Sequence, residues 1–237
     1  MHGWCIPHLW QSIQPLAERI AARGDAGPIA EIGVFQGKFF IGLVKTMNAV
    51  TQNYAIDVFD MQEFNLDNAG HGSLQALENN LARCSVDRGA VRVLRTDSLW
   101  LGKRDTDRIF AETGGFSMFS IDGCHLVAHT LNDMQLAFDL TRPDGIIFVD
   151  DYYNPSWPGV QEAVAKYYLN NSARFVPLLF SCGKLFLCNL SFHATYLETV
   201  ARFLSQHFPS TAVKRVQRFG FETLTVMPDH KSNDYLF

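Results

Sequence analysis

The segment Gly145-Ile-Ile-Phe-Val-Asp150-Asp151-Tyr152 is an apolar run typical of a buried strand, and it ends abruptly in two carboxylates. A second strand-like segment upstream ends in Ile121-Asp-Gly-Cys-His125. If the two strands are parallel neighbours, the polar side chains that follow them meet outside the carboxyl ends of the strands, where open α/β sheets bind ligands. The sequence therefore predicts an active site that combines three carboxylates and a histidine at one edge of a sheet.

The composition is that of one globular domain without a nucleic-acid or membrane partner. The 237 residues are 47% hydrophobic and 19% charged, which is enough to bury a sizeable core and too apolar for a disordered chain. The net charge is -4 and no basic run is concentrated, so we interpret the cluster Lys214, Arg215 and Arg218 as solvated surface. No apolar stretch reaches the roughly 20 residues that span a bilayer.

The cysteines and the N-terminus indicate a reducing compartment. Cys5, Cys84, Cys124, Cys182 and Cys188 are odd in number and contain no Cys-x-x-Cys spacing, which argues against a disulfide framework and a thiolate zinc site. The first residues lack a charged region followed by an apolar core, so we predict no secretory signal. We therefore expect a cytoplasmic protein, and its oligomeric state, monomer or homo-oligomer, is left open.

Apolar periodicity and turn residues predict strands that alternate with helices. The predicted strands are 29–32, 54–58, 91–94, 116–121, 145–150, 174–180 and 184–190, and 219–227 is predicted to be extended. The predicted helices are 9–22, 38–44, 74–84, 127–138, 158–168 and 192–208. The break before the fifth strand is Arg142-Pro-Asp-Gly145, and Ser181-Cys-Gly183 between the last two strands is a hairpin signal.

This order of elements predicts an α/β fold with βαβ units and right-handed crossovers. We expect a single domain with a Rossmann-like, doubly wound sheet that is mostly parallel and closes with an antiparallel C-terminal hairpin. Within it, 1–27 is the N-terminal helical cap, 28–190 is the core, and 191–237 comprises a C-terminal helix and an extended tail.

The segment Glu31-Ile-Gly33-Val-Phe-Gln-Gly37 lies at a predicted strand-to-helix turn. Glycines there let the backbone approach a ligand, and the helix N-terminus offers free amides. The dinucleotide fingerprint Gly-x-Gly-x-x-Gly is not present, because residue 35 is Phe. A tight turn without any ligand explains these glycines equally well.

Two further acidic positions end strands in the first half of the chain. Asp57 follows the second strand, where a carboxylate can accept hydrogen bonds from the hydroxyls of a ribose, although it is also a common turn-former. Asp97 and Ser98 follow the third strand and suit contact with an adenine edge, or equally a helix cap.

The carboxylates of Asp122, Asp150 and Asp151 are hard oxygen ligands suited to Mg²⁺ or Mn²⁺. Carboxylates crowded at one sheet edge repel each other, and a divalent cation relieves that repulsion, whereas the alternative role is capping of the following loop. His125 lies three residues after Asp122, and its near-neutral intrinsic pKa suits a general base.

Taken together, these motifs resemble the class I S-adenosylmethionine-dependent methyltransferases. The motifs that carry the resemblance are Glu31-Ile-Gly-Val-Phe-Gln-Gly37, Asp57, Ile121-Asp-Gly-Cys-His125, Arg142-Pro-Asp-Gly145, Val149-Asp-Asp-Tyr152 and Gly159-Val160 with Ala163-Val164. Within this class the chain is most similar to the branch that contains macrolide-sugar O-methyltransferases and cephalosporin hydroxylase-like proteins. The likeness covers residues 28 to 190.

The resemblance implies a role for each site residue. Gly33 and Gly37 would border the methionine part of S-adenosylmethionine with Glu31 nearby, Asp57 would hold the ribose, and Asp97 with Ser98 would lie by the adenine. The implied metal ligands for Mg²⁺ or Mn²⁺ are Asp122, which would also face the cofactor, Asp150 and Asp151, and the implied base is His125.

The implied activity is methyl transfer from S-adenosylmethionine to a hydroxyl of a small molecule, such as a sugar, a phenol or another natural product, with Mg²⁺ as the expected metal. The loops at 60–73 and 152–158, the second rich in aromatic residues, would then set acceptor specificity. Two alternatives remain: a non-catalytic protein that binds a nucleotide or S-adenosylmethionine, and a nicotinamide-dependent reductase.

Overall fold

The structure, a computed structural model, describes residues 1–24, 26–170, 173–209 and 212–226. Within these ranges the strands are β1 (Ile29–Ile32), β2 (Asn53–Asp57), β3 (Val91–Arg95), β4 (Phe116–Ile121), β5 (Thr141–Val149), β6 (Phe175–Ser181), β7 (Lys184–Asn189), β8 (Val213–Arg218) and β9 (Phe221–Val226). The helices are α1 (Leu9–Ala21), α2 (Lys38–Met47), α3 (Leu74–Arg83), α4 (Lys103–Thr113), α5 (Val127–Leu140), α6 (Pro158–Asn170) and α7 (Leu190–His207).

All nine strands join one sheet in the order β3-β2-β1-β4-β5-β7-β6-β9-β8. The five strands that are neighbours at one side of the sheet, β3, β2, β1, β4 and β5, are all parallel. Strand β7 runs antiparallel to both β5 and β6. The predicted fold class, a mostly parallel Rossmann-like sheet with an antiparallel C-terminal hairpin, is therefore confirmed. Because β1, β2, β4 and β5 point the same way, the loops that follow them all lie at one edge of the sheet.

Helices cover both faces of the sheet, and side chains that alternate along the strands supply both cores. In β4, Met118 belongs to one core and its neighbour Phe119 to the other. The first core includes residues of α1, α2, α3 and α7, and the second includes residues of α4, α5 and α6. This burial on both faces explains why every residue of the central strands β1 and β4 is buried.

The break predicted at Arg142-Pro-Asp-Gly145 is present as an irregularity inside β5. Phe116 pairs with Thr141 and Met118 pairs with Ile146, so the paired positions advance by two residues on β4 and by five on β5. Gly145 is required there, because a Cβ would lie 2.8 Å from the carbonyl oxygen of Phe116. Beyond the bulge β5 pairs regularly with β4 up to Val149, so both strands end at the same level.

The C-terminal part of the sheet is larger than the sequence predicts. We expected the β6–β7 hairpin to close the sheet, but β9 adds to β6 in parallel and β8 forms the edge. Neither β8 nor α4 was predicted: β8 is largely polar, and α4 buries only Thr106 and Ile109. The segment predicted to be extended forms β9, whereas residues 227–237 of the predicted tail lie outside the described residues.

The structure also shows the state of the cysteines and the apolar character of the helices. All five cysteines are free thiols, and Cys188 is buried on β7. In the portion of the chain that the structure describes, no helix combines the length and the apolar character needed to cross a bilayer.

Candidate active site

The structure brings the strand-end carboxylates together as predicted from the sequence. Asp122 follows β4, and Asp150 and Asp151 follow β5, the strand paired with β4. The amide of Asp150 donates to the carbonyl of Ile121 at 2.9 Å, which holds the two strand ends side by side. Asp151 has φ +55°, an uncommon backbone angle for a non-glycine residue, and this turn separates its side chain from that of Asp150.

His125 is held from one side by a carboxylate that the sequence analysis missed. Asp67 Oδ2 lies 2.6 Å from His125 Nδ1 and accepts a second hydrogen bond from the His125 amide at 2.8 Å. The imidazole is also stacked on Trp157, with ring centroids 4.4 Å apart. These contacts fix the ring plane and assign the Nδ1 proton to the side of Asp67, so Nε2 is the atom that faces the site.

Nε2 of His125 lies between the two other carboxylates of the site. It is 3.1 Å from Asp151 Oδ2 and 3.9 Å from Asp122 Oδ1. Burial alone would lower the pKa of His125, but its interactions with Asp122, Asp151 and Asp67 raise that pKa to about 12. Burial opposes the same effect at Asp67, whose pKa is lowered to about 2 by hydrogen bonds from His125. The site therefore attracts positive charge strongly.

The residues present fit a divalent cation. One ligand atom each from Asp122, His125 and Asp151 lies within 4.8 Å of the others. Nε2 of His125 is buried without a hydrogen-bond partner of good geometry, although a carboxylate oxygen is close. Because metal binding at such groups displaces protons, the charge that favours a protonated imidazole here also favours a cation. Carboxylate oxygens and water suit Mg²⁺ or Mn²⁺.

Asp150, predicted as a third metal ligand, forms an ion pair with a lysine. Its carboxylate forms an ion pair with Lys184, the first residue of β7, and its other oxygen accepts the Asp151 amide at 2.9 Å. Lys184 Nζ is also 3.9 Å from Asp122 Oδ2 and 4.4 Å from the centroid of the Phe39 ring. The proposed ligand role of Asp150 stays a prediction, and its charge is already matched by a lysine.

The glycine turn after β1 is built by backbone contacts. Gly33 has φ +82°, and a Cβ there would lie 1.7 Å from the carbonyl oxygen of Asp122. Gly37 has φ +85°, and a Cβ would lie 2.4 Å from Leu77 Cδ1. Both glycines are therefore needed for packing whether or not a ligand binds. Glu31 is buried with Oε1 lacking a hydrogen-bond partner, and burial raises the pKa of this carboxyl well above its usual value.

Asp57 shapes the turn next to these glycines. Its oxygens accept the amides of Phe35 at 2.7 Å and of Phe59 at 2.5 Å, one each. Burial raises the pKa of Asp57 to about 6 despite these hydrogen bonds. The turn-forming role is thus observed, and each oxygen keeps a further lone pair, so the predicted ribose contact stays a prediction.

Asp97 likewise has the capping role that the sequence analysis considered. Its Oδ1 accepts the Leu99 amide at 2.9 Å at the start of a short 3₁₀ helix, Ser98–Trp100. Its Oδ2 lies 3.6 Å from Nε2 of His129 on α5, a contact that no local sequence signal indicated. Asp97 and Ser98 are both buried at the edge that carries Asp57, so contact with an adenine stays a prediction.

The aromatic loop after Asp151 is partly packed and partly open. Tyr152 is buried, whereas Tyr153 is exposed. The guanidinium of Arg218, at the end of β8, lies 5.2 Å from the Tyr152 ring and 5.3 Å from the Tyr153 ring. Arg218 is therefore not simply solvated surface, because it anchors the β8–β9 turn to the loop beside the site.

A family model described as a methyltransferase domain matches residues 30–152 of this chain. The matched range begins in β1 and ends just after Asp151, so it contains all the strand-end residues discussed above. No curated protein sequence gives a significant match.

Several solved structures share the fold. The O-methyltransferase NovP is 16% identical with a TM-score of 0.59, and the match covers 76% of this chain and 78% of NovP. CalS11, a TDP-rhamnose 3'-O-methyltransferase of calicheamicin biosynthesis, is 18% identical with a TM-score of 0.51, covering 76% of this chain and 79% of CalS11. MycE of the mycinamycin pathway, solved with Mg, SAH and mycinamycin VI, is 19% identical with a TM-score of 0.51, covering 79% of this chain and 50% of MycE.

Proposed function

The chain belongs to the methyltransferase-domain family and is an S-adenosylmethionine-dependent methyltransferase, and from this premise we propose that it methylates a hydroxyl oxygen of a small-molecule acceptor with the help of a divalent cation. The observation that carries the proposal is the arrangement of His125, whose Nδ1 is held by Asp67 while Nε2 lies beside the carboxylates of Asp122 and Asp151.

The proposed donor site lies along the loops after β1, β2 and β3. The N-terminus of α2, after the turn from Gly33 to Gly37, has no side-chain cap, so its amides would face the methionine end of the donor, with Glu31 nearby. Asp57 would accept the ribose hydroxyls through the lone pairs that its two backbone hydrogen bonds do not use. Asp97 and Ser98 would lie by the adenine.

The proposed metal ligands are Asp122 and Asp151, with Asp150 adjacent. A bound Mg²⁺ or Mn²⁺ would supply charge that lowers the pKa of an acceptor hydroxyl. The protein's own residues provide the geometry. The pairing of β4 with β5 holds Asp122 and Asp151 on neighbouring strand ends, and Asn154 donates to Asp151 Oδ1 at 2.8 Å, which orients that carboxylate.

His125 is the proposed base. Because Asp67 occupies its Nδ1 side, Nε2 is the nitrogen that would take the acceptor proton once a bound cation offsets the carboxylates that otherwise raise the pKa of the ring, and stacking on Trp157 keeps the ring from turning. The acceptor oxygen would then take the methyl group in line, forming an O–CH₃ bond as the S–CH₃ bond of the donor breaks and S-adenosylhomocysteine leaves. No covalent enzyme intermediate is needed, so alignment of two bound reactants is the main contribution of the fold.

The acceptor class is proposed from the rim of the site together with the similar structures. Exposed apolar side chains lie on the loops that follow the parallel strands, at the edge of the sheet that carries Asp122 and Asp151. They are Leu66, Leu99, Trp100, Leu126 and Tyr153. Such a rim suits an acceptor with an apolar body and a hydroxyl, such as a glycosylated or phenolic natural product. The methyltransferases NovP, CalS11 and MycE share this fold.

The direct test is incubation of the purified protein with S-adenosylmethionine, Mg²⁺ and a panel of sugar, phenolic and macrolide acceptors. We expect formation of S-adenosylhomocysteine together with a methylated acceptor, detected by mass spectrometry. Titration of S-adenosylmethionine in a calorimeter provides the binding measurement. Absence of binding heat and of thermal stabilisation at millimolar donor would contradict the proposal.

Metal removal is expected to abolish turnover while donor binding persists. A chelator withdraws the cation from Asp122 and Asp151, whereas the proposed donor contacts at Asp57 and the glycine turn do not involve it. Activity should return on addition of Mg²⁺ or Mn²⁺ in excess over the chelator. Full turnover in chelator, with calorimetric donor affinity unchanged, would remove the metal from the proposal and leave the methyltransferase assignment intact.

The substitution Asp67→Asn is expected to lower kcat by about tenfold, within the range found when a partner that orients a site histidine is removed. The amide keeps the size of Asp67 but carries no charge to hold the Nδ1 proton of His125. Steady-state rates of S-adenosylhomocysteine formation measure the effect. Asp60→Asn, an exposed acidic position in the same loop, is the matched control, and equal rates for the two variants would refute the role of Asp67.

A further inference from the structure

Lys184 is a buried cation inside the proposed metal site. It begins β7, the strand antiparallel to β5, and Leu185 pairs with Val149, so Lys184 lies across from Asp150. The side chain is only 3% exposed, and its ammonium contacts the carboxylate of Asp150 with Asp122 Oδ2 3.9 Å away. The hairpin turn thus inserts a positive charge between two of the three strand-end carboxylates.

A buried ammonium is stable only when carboxylates compensate for its lost hydration. The carboxylates of Asp150, in contact with the ammonium, and of Asp122, 3.9 Å away, supply this compensation for Lys184. Asp150 in turn has this ammonium as its charged partner. The two residues therefore behave as one neutral unit within the site.

We infer that Lys184 is a positioning residue that withholds Asp150 from the cation, so that the metal ligands come from Asp122 and Asp151 next to His125. The inference rests on the proposed function. Its electrostatic basis is the charge of the three carboxylates, which Lys184 reduces to two net negative charges, the number that a divalent cation balances. The geometry agrees, because the ligand atoms that lie close together come from Asp122, His125 and Asp151 and not from Asp150.

Binding of Mn²⁺ to the full chain, measured by electron paramagnetic resonance of the free ion, tests this inference. Four proteins are compared: wild type, Asp150→Asn, Lys184→Met and the double variant with both substitutions. The double variant removes the ion pair and leaves residues of similar shape without charge. If Asp150 is no ligand, the double variant should bind Mn²⁺ as tightly as wild type.

The single variants should shift the Mn²⁺ affinity in opposite directions. Asp150→Asn leaves the Lys184 ammonium uncompensated beside the cation, and affinity should fall by about tenfold through charge repulsion. Lys184→Met removes that ammonium and frees Asp150, and affinity should rise by about tenfold. If Lys184→Met folds poorly because Asp150 is left unpaired, the comparison of the double variant with Asp150→Asn and wild type is sufficient.

Different outcomes would contradict the role of Lys184 and the metal site itself. Loss of Mn²⁺ affinity in the double variant as large as in Asp150→Asn would overturn the inference, because Asp150 would then be a ligand. An affinity that does not rise in folded Lys184→Met would overturn it as well. Absence of Mn²⁺ binding to wild type would instead overturn the metal site of the proposed function, and the inference with it.

Discussion

Replacing Asp122 with asparagine is expected to reduce kcat/KM for methyl transfer by at least about a thousandfold, the equivalent of several kcal/mol of transition-state stabilisation. Asp122 is the carboxylate with two charged neighbours: His125 Nε2 lies 3.9 Å from one oxygen and Lys184 Nζ 3.9 Å from the other. The asparagine amide has the same shape as the carboxylate but no charge. The variant should therefore lose cation binding and the electrostatic interaction between residue 122 and His125. Initial rates of S-adenosylhomocysteine formation measure the effect.

The control for this variant is Asp139→Asn, which makes the same chemical change at an exposed position near the end of α5. It should leave the rate and the melting temperature unchanged. Calorimetric affinity for S-adenosylmethionine and the melting temperature of Asp122→Asn report whether the fold and the donor site survive. A folded Asp122→Asn variant that keeps most of the wild-type rate would contradict both the metal and the base assignments.

Replacing Gly33 with alanine is expected to lower the free energy of unfolding by about 4 kcal/mol or more, the size reserved for a few severe mechanisms. The added Cβ would lie 1.7 Å from the carbonyl oxygen of Asp122, a backbone atom that cannot move without separating β1 from β4. The residue would also have to keep φ at +82°, which is unfavourable for alanine. Urea denaturation followed by circular dichroism measures the loss.

Gly220→Ala is the matched control for the steric contribution. Gly220 has φ +84°, nearly the angle of Gly33, but no atom lies within 4 Å of the position that its Cβ would occupy. Only the backbone strain is then introduced, which costs about 1 to 2 kcal/mol. Similar losses for the two variants would show that the contact between Gly33 and Asp122 does not determine stability.

The position of the site follows from local patterns in the sequence. An apolar run that ends in Asp122 or in Asp150-Asp151 indicates a buried strand followed directly by an acidic residue. The helices between the strands require that the strands pair in parallel. Parallel neighbours end at one edge, so the convergence of these carboxylates could be predicted without coordinates. The same patterns did not indicate α4 and β8, which bury few side chains and have weak apolar periodicity.

The partners of the site residues could not be predicted in this way. Asp67 is 58 residues from His125 along the chain, and Lys184 is 34 residues from Asp150. Asp67 lies in the loop after β2, and Lys184 begins β7 directly after the hairpin turn. Nothing in their spacing distinguishes them from the other acidic and basic residues of the chain, and only the packing of the segments against the sheet edge makes them neighbours.

The sequence by itself determined the order of the strands and helices other than α4 and β8, the fold class and the edge of the sheet at which the polar residues collect. The tertiary structure alone decided how the charges at that edge are divided, with Asp67 assigned to His125, Lys184 to Asp150, and Asp122 and Asp151 left beside Nε2 of His125. The physical reason is that strand formation depends on short-range periodicity, whereas the energy of a charge pair depends on the distance through space and on burial. Both quantities exist only once distant segments have packed together.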